Sequence, residues 1–267
     1  MIALHGAALL WYTAAGIVLG ASFAGARAGA PRAGVLLAGA GAGTHLLALL
    51  WYRVRHGELP LAGLGPTLST LAFLTAVFLF GVASTREGRP LGLVLAPIVV
   101  VLLGGALLIG IAPPAEASAF AGPWFALHVT LALAAYASLT VAFAAGLLYL
   151  LQFRALKGRR FGRIFRYLPP LPVLDLVRRR ALVMGFPTLT VGLALGWAWT
   201  LRETGSLALE DPQVIFGVLT WIVFLALLLG GASGDRRAAG ASVAGFLIVV
   251  VAYFILRASM GAGRAFL

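Results

Sequence analysis

The sequence predicts an all-α fold: a polytopic integral membrane bundle of about eight transmembrane helices, with both termini on the extracytoplasmic side. Three observations carry that prediction. Of 267 residues, 61% are hydrophobic and 10% charged, and the mean hydropathy is +1.02. Soluble domains run near half apolar and a quarter charged, so a soluble enzyme, a coiled coil and a disordered chain are all excluded. Eight stretches approach the ~20 apolar residues that a helix needs to cross the hydrocarbon, and they run continuously, without the alternation of a β-barrel. Basic residues, finally, cluster in every second loop. The net charge of +12 therefore reports membrane orientation rather than a nucleic-acid partner. There is no cysteine, which removes disulfides, thiolate metal sites and iron–sulfur clusters.

The spans follow in order. The first, 3–25, is too long for a signal peptide and lacks a basic leader, so it reads as retained. The second, 34–52, carries Gly39-x-x-x-Gly43, a spacing that permits close helix approach. The third and fourth are 66–85 and 91–112, the latter interrupted by Pro97. The fifth, 124–153, leads into the longest basic segment, about 154–180, with nine Lys and Arg around Leu168-Pro-Pro-Leu-Pro172. The sixth, 181–201, contains Pro187; the seventh, 213–233, follows Asp211-Pro212; the eighth is 239–257. The whole, 1–267, reads as a single transmembrane domain of a plasma-membrane protein. Loops after spans one, three, five and seven hold Arg27 and Arg32, Arg86 and Arg89, the nine of 154–180, and Arg236 and Arg237. That is 15 of the 20 basic residues, and it puts these loops in the cytoplasm. The 154–180 segment reads first as a topology anchor and second as a contact for anionic lipids or a partner.

Ionisable residues inside spans are costly and are functional candidates. No carboxylate falls mid-span, which argues against a proton or cation relay. His45 and His128 remain. His45 lies seven residues before Tyr52, about 10 Å below the outer boundary, and His128 about 6 Å below it. His5 and His56 fall at the outer face, so all four histidines share one leaflet. Trp51, Trp124, Trp197 and Trp199 lie at outer ends of spans, and Trp11 and Trp221 in the outer half. This skew reads either as an aromatic belt or as the wall of an outer cavity. Two neutral imidazoles suit haem iron, copper or zinc. A closed zinc site wants four ligands, whereas bis-histidine haem needs two and apolar walls. The alternative is that each histidine only hydrogen-bonds a neighbouring helix. Asp211, directly before Pro212, reads mainly as the N-cap of span seven.

The residues around these histidines resemble a known family. His45-Leu-Leu-Ala-Leu-Leu, Gly57-Glu-Leu-Pro-Leu61 and Thr67-Leu-Ser-Thr-Leu-Ala-Phe73 are similar to the second and third spans of the cytochrome c assembly (CcsA-type) membrane proteins. His128-Val, Tyr136 and Gly146-Leu-Leu-Tyr-Leu-Leu151 resemble the family's haem-ligand helix, and Gly185-Phe-Pro-Thr-Leu-Thr-Val-Gly192 its next stretch. Asp211-Pro212 and Leu219-Thr220-Trp221 resemble the end of its tryptophan-rich segment and the following helix. The resemblance implies a protein that handles haem, here haem b, at the outer face for cytochrome c assembly. It implies His45 as an intramembrane ligand and His128 as an external-side ligand. Partners would be apocytochrome c or another cytochrome c biogenesis membrane protein, with Trp197, Trp199 and Trp221 walling the pocket and Asp211 beside it. Leu207-Ala-Leu-Glu210 stands where the family's tryptophans would be, and no histidine follows Ile215. The chain is thus similar to the shorter, HemX-like branch, and haem handling rather than haem lyase chemistry is the reading. A regulator of tetrapyrrole synthesis acting through the basic segment, and a small-molecule transporter, are the alternatives.

Overall fold

The computed structural model describes residues 1–24, 30–113, 122–159, 162–205, 211–230 and 236–259. Arg27, Arg160 and residues 207–210, all used above, lie outside them. Among the described residues there are only helices: α1 (Ile2–Phe23), α2 (Ala30–His56), α3 (Leu64–Ala83), α4 (Gly92–Ile109), α5 (Pro123–Lys157), the short α6 (Arg163–Tyr167), α7 (Leu171–Thr204), α8 (Pro212–Gly230) and α9 (Arg236–Ser259). Eight of them are long and apolar enough to span a bilayer, in agreement with the eight predicted spans.

The helices form two groups of four. α1 packs on α2 and α4, and α3 on α2 and α4; in the second group α5 packs on α7 and α9, and α8 on α7 and α9. The seam between the groups is chiefly α3 against α5. α5 is the axis of the molecule: its apolar window is 72% buried, and no other span exceeds 50%. Lipid is as apolar as leucine, so burial alone does not drive this packing, and close contact through small side chains must. Ala132, Ala135, Ala137, Ala142, Ala144 and Ala145 of α5 are all buried. The Ser138 hydroxyl donates across to the Ala181 carbonyl of α7, and Phe143 stacks on Phe246 of α9 at 4.4 Å.

Two expectations change. The Gly39/Gly43 pair is not one contact surface. A Cβ at Gly43 would meet open space, while one at Gly41 would stand 2.7 Å from the Tyr12 ring. Gly39 admits the Phe80 ring, 2.8 Å from such a Cβ, and Gly41 admits Tyr12. The basic segment is likewise not one loop. α5 continues to Lys157, α6 follows, and α7 starts at Leu171, so Arg178, Arg179 and Arg180 are helical. The cause is a local pattern: Leu174, Arg178, Ala181 and Leu182 share one buried stripe, and Asp175 accepts from Arg178 at 2.6 Å. A hydropathy window stops at these charges although the helix does not. Pro97 and Pro187 both lie within continuous helices.

The loop between α2 and α3 is tied down rather than free. Thr67 donates to the Leu61 carbonyl at 3.1 Å and Thr70 to the Pro60 carbonyl at 2.8 Å. Leu61 and Ala62 are buried against Phe125, Val129 and Leu133 of α5. Nearby, α3 begins in contact with the end of α4. A Cβ on Gly65 would come 1.8 Å from the Gly110 carbonyl oxygen, and Gly110 itself has φ +104°.

Candidate functional site

A cavity of about 340 Å³ opens at one end of the bundle, within the roughly 300–1,000 Å³ of small-molecule and cofactor sites. The first halves of α3, α5 and α8, the second halves of α7 and α9, and Ile98 and Leu102 of α4 surround it, with Thr67, His128, Trp197, Trp199, Phe216 and Tyr253 among its walls. Successive spans run in opposite directions, so these helix ends lie together. They lie away from Arg86, Arg89, Lys157, Arg179 and Arg236, which sit at the other ends of the same helices. The cavity is therefore at the end poor in basic residues, where the sequence placed the tryptophans and histidines.

His128 is held in one orientation. Its Nδ1–H donates to the Gly192 carbonyl of α7 at 2.7 Å. In a neutral imidazole this leaves Nε2 as an acceptor. The ring rests on α7 because that helix has no side chain in the way: a Cβ on Gly196 would come 2.6 Å from His128 Cε1 and 2.7 Å from Nδ1. A Cβ on Gly192 would be 3.4 Å from the Ala132 nitrogen. Gly192-x-x-x-Gly196 is thus the close-approach motif that seats the histidine. The sequence reading passed over it, although its spacing equals that of the Gly39 pair.

His45 lies elsewhere. It is fully buried, with Nε2 on the Ser69 hydroxyl at 3.0 Å and Nδ1 on the Tyr12 hydroxyl at 3.3 Å. The His5 ring packs edge-on against it at 5.4 Å, and Phe73 at 5.6 Å. α3 stands between the two histidines. Leu64, Thr67, Leu68 and Leu71 face the cavity, while Ser69 and Phe73, on the opposite face of the same helix, meet His45. His5, placed at the outer face by depth alone, is fully buried. His5, Ala8, Tyr12, Ala15 and Leu19 form a single stripe on α1, and that spacing was the available signal.

The other site residues divide. Trp197 and Trp199 line the cavity, and Trp199 tilts against Phe125 at 6.1 Å. Trp221 is engaged between helices: its indole N–H donates to the Thr190 hydroxyl at 3.0 Å, and its ring leans on Phe186 at 5.4 Å. Asp211 caps α8, its carboxylate accepting from the Gln213 N–H at 2.8 Å, as its position before Pro212 predicts.

The sequence profile described as cytochrome C assembly protein matches residues 40–262. The chain belongs to this family. An uncharacterized 28.8 kDa protein of Azospirillum brasilense is 32% identical over 188 residues, covering 70% of this chain and 68% of its own. The cytochrome c biogenesis protein CcsA of Synechococcus sp. (strain JA-2-3B'a(2-13)) is 30% identical over 279 aligned residues, 80% and 79% of the two chains. The protein HemX of Brevibacillus brevis is 33% identical over 97 residues, 36% of each. The matched cytochrome c assembly region contains His45, His128 and every element around the cavity. His5 and Tyr12 precede it.

Proposed function

We propose that this member of the cytochrome c assembly family holds haem b in the cavity, with His128 Nε2 as an axial ligand, and passes it on at the end of the bundle poor in basic residues. By the positive-inside rule that end is extracytoplasmic, the side of apocytochrome c. Held there, haem would supply the iron porphyrin that a cytochrome needs.

The single observation that carries the reading is the state of His128. Imidazoles that ligate metals almost always donate their other N–H to a carbonyl or carboxylate, which sets the tautomer and raises ligand basicity. The Gly192 carbonyl does this for His128, at 2.7 Å. The donor set fits iron porphyrin: one fixed neutral nitrogen, indole and phenyl walls, and few charges to desolvate. Trp197 and Trp199 supply flat apolar surface, and Thr67, Thr200 and Gln213 supply polar groups within reach of a propionate. His45 shares an iron with His128 only if it leaves Tyr12 and Ser69 and passes α3, so the reading gives the cavity one histidine. The basic end, with Lys157, Arg166, Arg179 and Arg180, faces anionic headgroups, each cation near that surface contributing about 1 kcal/mol.

The test is an absorption spectrum of protein purified after expression with haem supplied. Wild type shows a Soret band, and His128→Ala loses it or shifts it to that of an iron lacking one imidazole. A wild type with no Soret band, or a His128→Ala spectrum identical to wild type, overturns the assignment. The first of these results would favour a regulator without haem.

A further inference from the structure

The buried polar group on the far side of α3 has no part in the cavity. His5 Nδ1 lies 3.1 Å from the Met1 carbonyl, so its proton is donated there. Its Nε2 is then a bare lone pair, fully buried and without a hydrogen-bond partner among the described residues. An orphaned buried acceptor costs about 1–3 kcal/mol, and a native structure has a reason for keeping one. His45 is arranged in the same way. His45 Nε2 stands 3.0 Å from the Ser69 hydroxyl on α3; in the tautomer that donates its proton there, the Nδ1 lone pair is turned towards α1. There its only contact of this kind is the Tyr12 hydroxyl at 3.3 Å, long for such a bond. The two rings meet edge-on at 5.4 Å, and in that tautomer each keeps one nitrogen lone pair beside the other ring.

We propose that His5 Nε2 and His45 Nδ1, with the Tyr12 hydroxyl beside them, form a site for one Cu(I) ion. The ligand set selects the metal. No carboxylate or thiolate is present to hold a hard cation or complete a four-ligand zinc site. Imidazole suits copper, and Cu(I) is satisfied by two or three ligands. Of the ions that imidazole binds well, Cu(I) also carries the least charge to bury. The ring centroids stand 5.4 Å apart, a separation that two metal–imidazole bonds bridge once both nitrogens turn towards one ion. The two rings are fully buried and in edge-on contact, so a porphyrin would have to part them. Ser69 is a positioning residue: it fixes the His45 tautomer and touches no metal.

Purified full-length protein is titrated against the coloured Cu(I)–bicinchoninate complex. Wild type and His128→Ala each take one equivalent. His5→Gln and His45→Gln take none, and Ser69→Ala binds about 10–100-fold more weakly. X-ray absorption at the copper edge of the wild type shows imidazole scattering from two rings, a reading that stands even if a variant fails to fold. The proposal is overturned if wild type takes no copper at one equivalent, or if His5→Gln and His45→Gln bind as wild type does. It also fails if copper is lost in His128→Ala instead, which would place the ion in the cavity. A Soret band abolished by His5→Gln and kept in His128→Ala would assign the pair to haem. None of these results depends on whether the cavity itself binds haem.

Discussion

A single hydrogen at the α-carbon of residue 196 is what lets His128 lie flat on α7. Gly196→Ala puts a methyl 2.6 Å from the ring. The imidazole must swing away and lose the Gly192 carbonyl. Overpacking of this kind costs about 1–3 kcal/mol, and the ligand orientation goes with it. We expect a lower melting temperature in detergent together with a shifted or absent Soret band, whereas Gly43→Ala, which meets open space, leaves both unchanged. Thr70→Val leaves the buried Pro60 carbonyl without its 2.8 Å donor and should cost about 1–3 kcal/mol. Its measurable sign is faster proteolysis within the 57–63 loop. At this scale the sequence was partly legible. Histidines and tryptophans stand out in an apolar chain, and depth along a helix can be counted from its ends. Direction around the helix could not. In a soluble helix the polar face announces the exposed side, but lipid-facing residues such as Leu10 and Ile17 are as apolar as buried Leu19. For that reason His5 was read by depth and missed as a partner of His45.

Helices were legible in number and order because length and apolarity decide them; their ends were not. α7 runs for 34 residues, roughly 50 Å at 1.5 Å per residue, against a hydrocarbon core of about 30 Å. Its extra turns sit at the basic end and are held by Arg178, which is fully buried yet charged. Asp175 accepts from it and the Ser242 hydroxyl receives its NH1 at 3.3 Å. Part of the segment read as a loop is therefore an ion pair within α7, whose buried arginine also ties that helix to Ser242 of α9. Removing one member of such a pair leaves an uncompensated charge, at about 3–5 kcal/mol, while replacing both with apolar residues is often near neutral. Asp175→Asn should accordingly destabilise more than Asp175→Leu with Arg178→Met, a ranking that chemical denaturation in detergent can check. The reverse ranking would mean that the pair is solvated.

Across the molecule, polarity is divided between the two ends: cavity, tryptophans and histidines at one, most of the cations at the other. In the orientation proposed from the positive-inside rule, Glu58 lies outside and Gly158 inside the cell. The chain has no cysteine of its own, so single cysteines at these two positions report without background. A membrane-impermeant maleimide should label Glu58→Cys in intact cells and Gly158→Cys only after lysis; the opposite pattern would move the cavity to the cytoplasm. The division into two groups of four helices has a further consequence, in time rather than space. Chains leave the ribosome N-terminus first, at roughly 5–20 residues per second. The helices around His5 and His45 are α1, α2, α3 and α4, and they have emerged before α5 exists. The cavity needs α5, α7, α8 and finally Tyr253 near the end of α9, so its last wall arrives on the order of ten seconds later. A nascent chain can thus finish its inner pair early, but it has nowhere to put a large cargo until translation is almost over.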